Sequence, residues 1–249
     1  DQAVTYVSRL NDEFYVEHGL SYFAASKAMK ITPAHRDDRG ERYRTFDPEA
    51  AILRCFQCHS TGVIRLGDAF RIEPSEPGVQ CEVCHGPGAD HKAIKNPRKM
   101  TPVQINELCG TCHRMPAAVG SNTDFSNPWN VRHQPLYLAE SACFKKAKVS
   151  CLTCHAAHRP VSRVDAEYDA KCKSCHARVR HKMAVGSQSC IACHMPEVKP
   201  HEDLTFANHW IGIYTVGAAQ RPIAASPLST RQPGSGDRLL PPRDQPRKP

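Results

Sequence analysis

The sequence predicts a mostly α-helical and irregular chain with little β-structure, packed around bound groups more than around its own side chains. Three observations lead there. Hydrophobic residues make up 40% of the 249 and aromatic residues only 7%, which is thin for a self-sufficient core of that length. One short pattern, Cys-x-x-Cys-His, recurs six times. The starts of its copies are 26, 28, 42, 21 and 18 residues apart. Each interval has room for a helix or two and a loop, but not for a sizeable sheet.

The six copies are Cys55/Cys58/His59, Cys81/Cys84/His85, Cys109/Cys112/His113, Cys151/Cys154/His155, Cys172/Cys175/His176 and Cys190/Cys193/His194. They use twelve of the 13 cysteines and leave Cys143. This is the attachment signature of haem c. Two thiols add to the haem vinyl groups, and the adjacent His binds the iron as proximal ligand. Zinc ribbons also pair CxxC, but they need no His at a fixed place after each pair. A disulfide framework suits shorter chains without such regular pairs, and a redox CxxC normally occurs once. Six haems c would supply the apolar surface that the composition lacks, giving a haem-packed interior.

The formal charge of +8 raises a nucleic-acid reading. Six haems bring two propionates each, against about one positive charge per ferric centre, so the loaded protein is near neutral. No nucleic-acid-binding motif is present, and none is expected as a partner. No run of 18 apolar residues exists, so no membrane span is expected. Haem is attached outside the cytoplasmic membrane. The sequence is therefore read as a mature form whose export signal has been removed, in the periplasm or outside the cell.

Along the chain, residues 1–50 form an N-terminal segment without a motif. "EFYVEHGLSYF" alternates as a strand or a short hairpin around Gly19 would, while "SYFAASKAMKI" is equally open to a short helix. Residues 51–214 form the hexahaem electron-transfer domain. Its longest gap holds "PLYLAESACF", which reads as helical with Pro135 in the first turn. Residues 215–249 are a Pro-rich basic tail without the composition for a core. Unequal motif spacing argues against a solenoid of equal units.

Eight histidines remain after the proximal six, close to the number that six six-coordinate irons need. His158 follows His155 by three residues in "CLTCHAAH", on the same face of a helix. A sixth ligand must approach from the other side of the ring, so His158 should serve a neighbouring haem. Gly86-Pro87-Gly88 turns the chain after His85, so His91 should also reach across, as should His181. His133 and His209 lie far from any motif and can approach an iron from separate segments. His35 completes the distal set, with His18 and His201 in reserve. Met29, Met100 and Met183 compete weakly, and Cys143 reads as a buried thiol or an intermolecular cross-link.

The stretches "CEVCHGPGADH", "CLTCHAAH", "CKSCHARVRH" with "CIACHMP", and "FANHWIGIY" make residues 50–214 resemble the multihaem c-type cytochromes related to hydroxylamine oxidoreductase and cytochrome c nitrite reductase. They are also similar to extracellular cytochromes that polymerise into filaments. The resemblance implies bis-His haems in parallel-stacked and T-shaped pairs, and electron transfer outside the cytoplasm. No Lys variant of the motif occurs, and the chain is shorter than the enzymes of that group. The expected role is accordingly an electron carrier without a catalytic residue. It would exchange electrons with redox proteins and assemble as a homo-oligomer or filament through its tail. A small oxidoreductase acting on a nitrogen or sulfur oxyanion at one open haem is the alternative, and a cytochrome subunit of a respiratory complex is a third.

Overall fold

Alternation near the N-terminus becomes strand. The computed structural model describes residues 2–9, 15–33, 35, 43–46, 52–66, 72–89, 94–114, 123–181, 186–215 and 217–223. Within them β1 (Ala3–Arg9), β2 (Tyr15–Phe23), β3 (Ala28–Ile31) and β4 (Tyr43–Phe46) make one antiparallel sheet. β2 is central. β1 pairs along it, while β3 pairs Leu20–Phe23 and β4 pairs Tyr15–His18. Gly19 lies inside β2, and the reversal comes later, over residues 24–27. "SYFAASKAMKI" is therefore a hairpin and not a helix. Ser21 and Phe23 bury on one face, the period-two pattern of a strand, and Ser21 bonds across to Thr5 and Thr32.

Each motif lies at a helix end. In chain order the helices are α1 (Ile52–His59), α2 (Cys81–His85), α3 (Pro102–His113), α4 (Gln134–Ala139), α5 (Ala142–Lys146), α6 (Cys151–Cys154), α7 (Asp165–Cys175) and α8 (Cys190–His194). All but α4 and α5 carry a CxxCH at or across the C-terminal end. Helical winding puts cysteines three apart on one face with the His beside them, which is the arrangement one flat ligand needs. α3 starts on a capping box between Thr101 and Gln104, with Pro102 in its first turn. α4 likewise holds Pro135 in its first turn. The expected helix in the longest gap is thus two helices, broken at Ser141.

Two hairpins complete the fold: β5 (Ser60–Leu66) with β6 (Ile72–Pro77), and β7 (Glu197–His201) with β8 (Leu204–Ala207). The second hairpin receives the N-terminal sheet. Gln2 exchanges two hydrogen bonds with the Thr205 backbone, at 2.6 and 2.8 Å. Phe23 stacks on His201, and Lys30 pairs with Glu202 and Asp203. The apolar core is small, as composition requires: Phe125, Val131, Tyr137, Val198 and Trp210, where a 3₁₀ turn (Pro128–Arg132) meets β7 and β8. The chain is mostly helical and irregular with small sheets. No described helix is long and apolar enough to cross a membrane. The tail beyond residue 223 lies outside the described residues.

Candidate haem centres

Three motif histidines are oriented through Nδ1, whereas the buried Nδ1 of His155 has no hydrogen-bond partner among the described residues. His85 Nδ1 bonds the Lys95 carbonyl at 2.9 Å, and His194 Nδ1 bonds the Gly212 carbonyl at 2.7 Å. His113 Nδ1 bonds Gln134 Oε1 at 3.1 Å. A carbonyl oxygen only accepts, so each Nδ1 carries the proton and Nε2 keeps its lone pair. That is the tautomer of a ligand with its second partner in place. Gly86, at φ 74, favours glycine there and turns the chain so that Lys95 returns to His85, whose carbonyl accepts the Lys95 N–H.

Three pairs of rings face one another. His85 and His158 have centroids 6.0 Å apart and planes 18° apart. His155 and His209 are 6.2 Å apart at 38°, and His181 and His194 are 6.1 Å apart at 37°. Two imidazoles giving Nε2 to one iron at about 2 Å place their centroids about 6 Å apart. His209 Nδ1 bonds the Ala207 carbonyl at 3.0 Å, leaving its Nε2 as the ligand atom too. Every pair joins a motif His to a His from another segment. His158 faces His85 rather than its neighbour His155, and His181 faces His194 rather than His176. Paired thiols with an adjacent His, and a second imidazole about 6 Å away, are a donor set that fits haem.

The other expected distal ligands stand differently. His35 Nε2 lies 3.2 Å from Glu17 Oε2, with its side chain only 3% exposed. It partners a carboxylate, and no motif His faces it among the described residues. His133 is buried, with Nε2 3.4 Å from Arg114 Nη1. Because Gln134 holds His113, His133 sits beside the third motif, with no ring facing it among the described residues. His91 lies outside the described residues. Of the reserves, His18 Nε2 bonds Ser8 at 2.7 Å. His201 Nδ1 accepts the Asp203 N–H at 3.2 Å, so both have structural partners.

The motif cysteines differ in setting. Cys55, Cys81, Cys154, Cys175 and Cys193 are exposed, while Cys58, Cys84, Cys109, Cys112, Cys151, Cys172 and Cys190 are half-buried. Cys193 Sγ donates to Gln188 Oε1 at 3.2 Å. α8 is the last motif helix, and the polar turn before it brings Gln188 over its exposed side.

Burial disfavours the charged form of three imidazoles, and a ligating imidazole must be neutral. Desolvation pushes His209 down to about 4, helped by His155 and His113. It pushes His133 down to about 4, helped by Arg114 and Arg132, and it lowers His155. The thiols show which motifs are neighbours. Cys58 is pushed up to about 11 by desolvation and by Cys112, which it also hydrogen-bonds. Cys84 feels Cys109 and Cys112, and Cys109 bonds Cys151. Cys172, pushed up to about 11 by desolvation first, lies near Cys190, Cys154 and Cys143. Cys143 itself is half-buried beside Cys175, and desolvation raises it. The described motifs run in space as one, three, four, five, six, with two beside three.

Sequence reasoning missed the residues that aim His209. Ser141 is fully buried between α4 and α5. Its hydroxyl donates to the His209 carbonyl at 2.8 Å and accepts the Ile211 N–H at 2.8 Å. Asn208, also fully buried, donates to the Ala219 and Gln220 carbonyls and accepts from the Trp210 N–H. The local signal for Asn208 is an Asx turn; Ser141 leaves none. A cavity of about 400 Å³ opens against Cys154 and His155, with Arg159, Tyr168 and Lys171 in its wall.

The chain is similar to known cytochromes. Residues 19–86, with the first two motifs, match the family described as cytochrome c554 and c-prime. The chain is 25% identical over 204 residues to the multihaem cytochrome MtrA of Shewanella baltica (strain OS185), covering 70% of this chain and 55% of that protein. It is also similar to the undecahaem cytochrome from the S-layer of Carboxydothermus ferrireducens. That match has 18% identity and a TM-score of 0.42, over 84% of this chain and 45% of the other. The chain thus spans about half the length of the relatives it matches. With six CxxCH motifs on helix ends and three histidine ring pairs about 6 Å apart, the chain is similar to multihaem c-type cytochromes.

Proposed function

We propose that the chain holds six covalent haems c, each bis-His, and conducts electrons along them outside the cytoplasmic membrane. The observation that carries this is the three facing His pairs. Each spans the gap of one low-spin iron, and each takes its second ligand from another part of the chain. His158 would complete the haem of His85, His209 that of His155, and His181 that of His194. His35, His91 and His133 are the proposed sixth ligands for the irons of His59, His113 and His176. Haem supplies the one-electron chemistry when bound. The protein would bind the vinyl carbons through Cys pairs, and it orients His85, His113, His194 and His209 through Nδ1. Cys193 would give up its bond to Gln188 on forming its thioether. Arg159 and Lys171 line the cavity by His155 and would meet propionates there.

The relation to the hydroxylamine oxidoreductase and nitrite reductase group belongs to this reading, on the stretches quoted above, as does a carrier role without catalysis. So does assembly into a homo-oligomer or filament, through the basic Pro-rich tail lying on a propionate-bearing surface of the next copy. Spectroscopy of the ferric holoprotein tests the ligation. All six irons are expected to be low-spin and slow towards added ligands. A stoichiometric high-spin haem that binds cyanide or nitrite quickly overturns the proposal in favour of an enzyme with an open site.

A further inference from the structure

One contact is repeated between successive motifs. Asn106 lies on α3, three residues before Cys109. Its Oδ1 accepts the Cys151 backbone N–H at 3.0 Å and the Cys151 thiol at 3.1 Å. Asp169 lies on α7, three residues before Cys172. Its Oδ1 accepts the Cys190 backbone N–H at 2.8 Å. In both places one motif helix caps the first cysteine of the next motif, three to four and five to six. Once haem is attached, the thiol bond is gone and the backbone bond remains.

The two sites differ in charge. Asn106 is neutral and 3% exposed, and it also donates to the Val149 carbonyl at 3.4 Å. Asp169 carries a carboxylate whose side chain is 15% exposed. Lys173 Nζ stands 3.8 Å from it on a side chain 65% exposed, where water weakens the pair. A second carboxylate, Asp165, accepts from the Ser189 hydroxyl at 2.8 Å at the start of α8. Holding an N–H needs no charge, since an amide does the same at the other site. A half-shielded carboxylate beside a haem does more, because it favours the ferric over the ferrous state.

Building on the haem-loaded reading above, we propose that Asn106 and Asp169 are matched positioning residues. They hold motifs three with four and five with six as pairs. The charge on Asp169 sets the five–six pair at lower potential, so that electrons settle towards three–four.

Reciprocal substitutions in the full-length holoprotein test this: Asp169→Asn and Asn106→Asp, with Asp169→Ala as a third variant. Mass spectrometry counts haems, and spectroelectrochemical titration reads potentials. Asp169→Asn keeps the haem count and the melting temperature but moves one low-potential component upward. At that component's parent midpoint, the reduced-to-oxidised ratio rises roughly threefold or more. Asn106→Asp moves a component downward. Asp169→Ala makes the same upward move and also melts earlier, and Asn rescues only the melting. A fully loaded Asp169→Asn protein whose titration superimposes on the parent overturns the inference. A parent chain that lacks haem at the last two motifs overturns the haem reading on which it rests.

Discussion

At the scale of residues, the account turns on which histidine faces which. The geometry pairs His158 with His85, two motifs back in the chain. His158→Met is expected to raise the potential of the His85 haem, since thioether ligation raises potential relative to imidazole, and to leave the His155 haem unchanged. Titrating the variant beside a His85 variant identifies the component that moves; a shift confined to the His155 haem refutes cross-ligation. The six CxxCH motifs were legible from spacing alone. Counting histidines singled out His158, His181 and His209, and the structure sets their rings opposite those of His85, His194 and His155. The Glu17 partner of His35 was not legible, because the two come close only after β2 forms. Nor was the Gln188 partner of Cys193, since it depends on how the turn before α8 folds back.

At the scale of elements, the motif helices were readable because i, i+3 thiols and a following His require a turn of helix. The hairpins β5–β6 and β7–β8 were not. β6 contains Pro74 and Pro77, and β7 contains Pro200, which hide a strand from pattern reading. β2 was readable as strand because its burial alternates. Its turn was misplaced because Gly19 is the only glycine there, yet the reversal is made by Ala24 to Lys27, with Lys27 at φ 53. The break between α4 and α5 acts at a distance: Ser141 leaves the helix to hold the His209 loop by two hydrogen bonds. Ser141→Ala strands both backbone groups, and a loss of about 1–3 kcal/mol is expected. Chemical denaturation measures it, and the low-spin signal of the His155 haem should broaden in the same variant. An unchanged midpoint would show that the loop is held by Asn208 alone.

At the scale of the whole molecule, the thin protein core is the informative feature. Five buried apolar residues make up the described cluster, and the motif helices α1, α3, α6, α7 and α8 pack in succession. On the proposed reading the haems complete that interior. The basic tail belongs to this scale as well. Deleting residues 217–249 is expected to weaken assembly, and high salt to weaken it partially, as read by light scattering; a truncated chain that assembles equally well refutes that role. The central claim is the number of haems, and the mass of the denatured protein tests it most directly, because thioether-linked haem survives unfolding. The account predicts the polypeptide plus six haems. A mass with four or fewer, or a chain that carries zinc in their place, would contradict it.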